Sequence, residues 1–174
     1  MLSEKLVQKI NNQIKYELYS AHLYYAMAAY CDSQDLPGFA NFFKVQAEEE
    51  RFHASKFYDF LNRMDARVLI YGLEEPKNDY SSVLDAFKAS LDHEKSVTKR
   101  IYALTDIATE EKEHATISLL KWFIDEQVEE EDMFNGIIKK LQRIGNDSAA
   151  LYMLDDELAQ RTFTPPASPD TAAQ

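Results

Sequence analysis

Apolar residues recur along this chain at steps of three and four, the spacing that keeps side chains on one face of an α-helix. Four such stripes can be traced: Leu6, Ile10, Ile14, Ala21, Tyr24 and Ala28; Phe39, Phe43, Phe57, Phe60 and Met64; Val83, Phe87, Leu91, Val97, Ile101, Leu104 and Ala108; and Ile117, Leu120, Phe123, Phe134, Ile137 and Leu141. Each is long enough for a helix of about seven turns, and the pattern predicts an all-α protein.

Punctuation along the chain agrees. Ser3 is an N-cap for a first helix reaching about Cys31, and Asp32 to Gly38 reads as a turn, with Pro37 near the start of the second helix. The second stripe fades after Met64, and Ala66 to Tyr80, with Gly72 and Pro76, is a long connection. A crossover of that length lets the third helix run parallel to the second. Ser82 with Asp85 resembles a capping box opening the third helix; Thr109, followed by Glu110 and Glu111, reads as the N-terminus of the fourth, which ends at Gly145. Asn146 or Asp147 can cap a short fifth helix carrying Leu151, Leu154 and Leu158. The expected architecture is a four-helix bundle with one long crossover and a short C-terminal helix, residues 1–161, followed by a disordered Pro-rich tail, 162–174.

Each stripe is broken by hydrophilic residues near its middle: Glu17 in the first, Gln46, Glu50 and His53 in the second, Glu94 in the third, Gln127 and Glu130 in the fourth. A carboxylate on a buried face must be neutralised, paired or bound to a metal. The spacing repeats, since 33 positions separate Glu17 from Glu50 and Glu94 from Gln127, so the chain reads as two helix pairs of one plan. A single core His or Glu is ordinarily structural, but four helices breaking pattern at one height point to a site. Carboxylates with an imidazole suit Fe, Mn or Zn better than Ca or Mg. Four carboxylates, Glu17, Glu50, Glu94 and Glu130, balance two divalent ions, with Glu50 able to bridge them. Two adjacent irons can each pass one electron to dioxygen, which favours iron.

Composition narrows the class further. Only four Gly and five Pro occur, three of the Pro within the last ten residues, so the body is nearly free of helix breakers. The net charge of −11 disfavours nucleic acid and anionic membranes as partners and favours cations. A single cysteine, Cys31, fits a reducing compartment; with neither a signal-peptide pattern nor a membrane-length apolar run, a soluble cytoplasmic protein is expected.

On these residues the chain resembles the non-haem bacterial ferritins across 1–161. Ferritin-like di-iron bundles place one Glu on each of two helices and Glu-x-x-His on the other two; here Glu50 and His53 keep the first such motif, while Gln127 and Glu130 replace the second. The resemblance implies one iron held by Glu17, Glu50 and His53, a second by Glu50 and Glu94 with Gln127 and Glu130 close by, and a third iron site at Glu49, Glu126, Glu129 and Glu130. It makes Tyr24 a candidate electron donor beside the centre, with Trp122 nearby; ordinary core packing accounts for either aromatic equally well. Bacterioferritins ligate haem with a Met where Phe52 stands, so no haem is expected. It further implies Fe2+ and O2 or H2O2 as substrates, ferric mineral as product, and assembly into a homo-24-mer. A rubrerythrin-like oxidase, a Dps-like protein and a bundle with a structural metal remain as alternatives, separated by how many irons each chain oxidises and keeps soluble.

Overall fold

The computed structural model describes residues 1–165. Five helices follow one another: α1 (Glu4–Ser33), α2 (Pro37–Arg63), α3 (Val83–Glu110), α4 (His114–Ile144) and α5 (Ser148–Leu158), with no strand among the described residues. Ser3 Oγ accepts the Leu6 amide at 3.1 Å and Ser82 Oγ the Asp85 amide at 3.1 Å, so both predicted caps form. Asp147, rather than Asn146, caps α5 through the amides of Ala149 and Ala150.

The α3–α4 junction lies later than the pattern predicts. Thr109 is inside α3, its hydroxyl bonded back to the Thr105 carbonyl at 2.7 Å. Lys112 takes a left-handed φ of 55° that stops the helix, and the Glu113 carboxylate accepts the Thr116 amide at 2.7 Å, acting as N-cap of α4. Glu110 and Glu111, whose acidic side chains suit the opening of a helix, instead close α3.

Contacts between helices give their directions. As numbering rises along α1 through Tyr16, Ser20 and Met27, the partners on α3 fall through Ser96, His93 and Ser90, so these two helices are antiparallel. A short turn joins α1 to α2, and α2 therefore runs parallel to α3 as expected from the crossover. Asn11 of α1 pins the crossover, donating to the Arg67 carbonyl at 3.0 Å and accepting the Leu69 amide at 2.6 Å.

The apolar interior is divided. One cluster contains Tyr24, Phe39, Phe42, Phe43, Phe87 and Phe134; the other contains Ile10, Ile14, Phe57, Ile101, Leu120 and Phe123. On every long helix the changeover between clusters falls where the hydrophobic stripe is broken, so a polar layer separates two greasy halves.

The fifth helix packs back on its own bundle, chiefly on α2, burying Leu154 and Leu158 while Tyr152 and Met153 face outward. Beyond it the chain is anchored: Arg161 donates to the Phe42 carbonyl, and the Phe163 ring lies 5.8 Å from that of Phe52. Residues 162–165 are not helical, and the remainder of the expected tail, 166–174, lies outside the described residues.

Candidate metal centre

Glu17, Glu50, His53, Glu94, Gln127 and Glu130 are all buried, none more than 4% exposed, and they meet in the layer between the two clusters. Long helices free of Gly and Pro at these positions hold each side chain on a rigid frame. His53 joins two potential cation-binding groups: Glu17, Glu50 and His53, and His53, Glu126 and Glu130, each with ligand atoms within 4.8 Å of one another. Its Nδ1 lies 3.3 Å from Glu50 Oε2 and its Nε2 3.9 Å from Glu126 Oε1, so both ring nitrogens face carboxylates.

The electrostatics are unfavourable without a cation. Burial, then the Glu50 charge, holds Glu17 well above the usual carboxylate range. Burial followed by repulsion from Glu94 does the same to Glu50 and Glu130. Glu94 is raised less far, because Tyr24 and Gln127 donate hydrogen bonds that offset its burial. One oxygen, Glu17 Oε2, is buried without any hydrogen-bond partner. An orphaned carboxylate oxygen among other carboxylates and an imidazole suits a divalent cation with mixed N and O ligands.

Three carboxamides hold the carboxylates of the layer. Gln13 Nε2 donates to Glu17 Oε1 at 2.9 Å; Gln46 Nε2 donates to Glu130 Oε2 at 2.8 Å and Glu50 Oε1 at 3.4 Å. Gln127 Nε2 donates to Glu94 Oε2 at 3.1 Å and to the Glu94 carbonyl. These amides aim carboxylate oxygens while leaving lone pairs for a cation. Sequence patterning missed Gln13 as a site residue, although it stands 33 positions before Gln46 and four before Glu17, as Gln46 stands four before Glu50.

Tyr24 donates its phenolic proton to Glu94 Oε1. Burial and the Glu94 charge raise its pKa, so the phenol keeps the proton it donates. The rings of Phe43 and Phe134 stack against it at 6.0 and 5.8 Å. Trp122 is only partly buried and meets the His53 ring edge-on at 5.5 Å.

The residues expected at a third site divide. Glu126 and Glu130 stand with His53. Glu129 is exposed and lies in neither potential cation-binding group. Glu49 is engaged elsewhere, its Oε2 accepting from Arg161 Nη2 at 2.5 Å, a partner that no helical spacing foretold.

A crossover bundle with a mid-height layer of carboxylates, carboxamides and one histidine defines the ferritin-like class of proteins. A family model, Ferritin-like domain, matches residues 7–144, and the chain belongs to this ferritin family of iron-storage proteins. It is 52% identical over 163 residues to the bacterial non-heme ferritin of Staphylococcus aureus, covering 94% of this chain and 98% of that protein, and 48% identical to the Staphylococcus saprophyticus protein of the same description over the same shares. Among solved structures, an engineered closed form of the Archaeoglobus fulgidus ferritin superposes with a TM-score of 0.93 at 48% identity, over 94% of this chain and all of that one. The open-pore ferritin from the same archaeon gives 0.92 at 46%, over 93% and 99% of the two chains.

Proposed function

We propose that this chain stores iron by oxidising Fe2+ at paired positions in the polar layer and passing Fe3+ to a mineral held within a closed shell of twenty-four copies. Glu17, Glu50 and His53 hold one iron; Glu50 and Glu94 hold the other, with Gln127 and Glu130 beside it. The observation that carries this reading is Glu17 Oε2, a buried carboxylate oxygen with no partner in a ring of mutually repelling carboxylates.

Two ferrous ions give dioxygen one electron each; with two protons the products are two ferric ions and hydrogen peroxide, which a further ferrous pair and two more protons can convert to two waters. Paired irons thus avoid a one-electron oxygen radical. The chain's own part is to hold the ions close, screen their charge and exclude bulk water with the apolar clusters on either side. Tyr24, bonded to Glu94, is placed to supply a further electron. The free buried Cys31 thiol fits a reducing compartment such as the cytoplasm; no described helix is long and apolar enough to cross a membrane.

The decisive experiment adds Fe2+ to the metal-free protein under anaerobic conditions and then admits air. Many irons per chain should be oxidised and remain soluble, and Glu50→Ala or His53→Ala should abolish the fast phase with the helical circular dichroism intact. Uptake that halts at about two irons per chain would favour a bundle oxidase, and an unaffected fast phase in both variants would refute the site.

A further inference from the structure

The segment after α5 lies along α2 beside the polar layer. Asn41 Nδ2 donates to the carbonyls of Leu158, Ala159 and Arg161 at 3.2, 3.3 and 3.0 Å, fixing where α5 ends. Arg161 then turns inward. Its guanidinium lies over the Phe42 ring at 4.3 Å, donates to the Phe42 carbonyl at 3.3 Å, and through Nη2 reaches Gln46 Oε1 at 2.8 Å and Glu49 Oε2 at 2.5 Å. Both ends of the ion pair are mostly enclosed, with side-chain exposures of 18% and 17%. A turn further along α2, Phe163 rests on Phe52.

Two consequences follow for the layer. By giving Gln46 Oε1 a cationic donor, Arg161 fixes the amide so that its NH2 group faces inward, where it donates to Glu130 and Glu50. The same guanidinium also occupies the carboxylate of Glu49, which faces the His53, Glu126 and Glu130 group closely enough to feel the charges of His53 and Glu126 and to repel Glu130.

We propose that Arg161 is a tethered cation, held by the C-terminal segment, that closes the layer on its Glu49 side and competes with a third metal ion for Glu49. Metal leaving the paired positions on this side displaces the guanidinium, so the segment after α5 acts as a latch between oxidation and onward transfer. Arg161 is a positioning residue here, and the inference rests on the two-ion reading of the layer given above.

The test titrates the metal-free, full-length protein with Zn2+, a redox-inactive ion that accepts the same N and O ligands, and follows heat. The unmodified chain should bind two ions tightly. Arg161→Gln should add a third, at least about tenfold tighter than any third ion in the unmodified chain, as expected for releasing a mostly enclosed charge-assisted hydrogen bond. Arg161→Lys should retain the original isotherm, and adding Glu49→Gln to Arg161→Gln should remove the third ion. A latch that merely fastens α5 would lower the melting temperature of Arg161→Gln and leave its isotherm unchanged, which would overturn the proposal, as would a third ion that survives loss of Glu49. Should Arg161→Gln lose helical signal, Asn41→Ala loosens the same segment and should show a smaller gain; no gain there overturns the latch. If the unmodified chain binds no Zn2+ that His53→Ala weakens, the fault lies with the two-ion reading instead.

Discussion

Glu17 shows how a single residue points to a candidate site. Its folded-state pKa lies well above the ordinary value near 4.5, first through burial and then through Glu50. The sign follows directly. Below about 4.5 the carboxyl is protonated in both folded and unfolded chains and contributes no pH dependence; as pH rises the unfolded chain ionises first and the folded state is progressively disfavoured. Glu17→Gln should therefore make the metal-free protein more stable at pH 7, on the order of 1–3 kcal/mol for removing an unsatisfied buried charge, with the gain vanishing near pH 4. Chemical denaturation across that range measures it, and a variant that is less stable at both pH values would show that Glu17 is held by something other than repulsion. Loading with Zn2+ should reverse the ranking and acidify an unbuffered solution, since bound carboxylates give up their protons. At this scale the sequence was highly legible: Glu17, Glu50, His53, Glu94, Gln127 and Glu130 all interrupt apolar stripes, and the fold buries them together. Arg161 was not legible, because a residue beyond the last helix carries no periodicity to say what it touches.

Elements are positioned by contacts between distant parts of the chain, and α2 is the clearest case. No side chain of its own caps its start; instead the Phe39 amide donates to Asp155 Oδ1 of α5 at 2.8 Å, 116 residues away in sequence. The approach is so close that a Cβ built on Gly38 would sit 1.7 Å from the Asp155 carbonyl oxygen. Gly38→Ala should consequently push α5 off α2, costing about 1–3 kcal/mol, and should speed proteolytic cleavage around residues 145–160. Gly136→Ala, with open space around it in an exposed turn of α4, should instead stabilise by about 0.5–1 kcal/mol. Equal melting temperatures for the two variants would mean that α5 is not docked in this way. Helix existence was readable throughout because the stripes are long. The α3–α4 junction was misplaced because Thr109, Glu110 and Glu111 satisfy the rules for a start as well as for an end, and only the left-handed Lys112 decides between them.

At the scale of the whole molecule, one open apolar surface is on the crossover side, besides the outward-facing Tyr152 and Met153 of α5. Ile70 is 66% exposed, and Tyr71 and Leu73 are also open to solvent. Leu73 shares a cavity of about 420 Å³ with Leu18, Ala21, His22, Tyr25 and Arg51, joining the crossover to α1 and α2 in one largely apolar face. A run of exposed Ile, Tyr and Leu in an extended segment is costly to leave in water and suits contact with a second copy of the chain. If this face helps close the shell, the unmodified protein should sediment as a particle about twenty-four times the 20.1 kDa chain, and Ile70→Glu should shift it toward small species. The substitution removes a largely exposed side chain that belongs to neither potential cation-binding group, so the fold and the oxidation of the first two irons per chain should persist, while soluble mineral beyond them is lost. A full-size particle with Ile70→Glu would move the interface elsewhere. Dispersed chains that still kept large amounts of iron soluble would break the link between enclosure and storage. That separation matters because the buried carboxylates lie within one bundle, so on the proposed reading oxidation needs only a lone subunit, whereas confinement of a mineral requires walls that only many subunits supply.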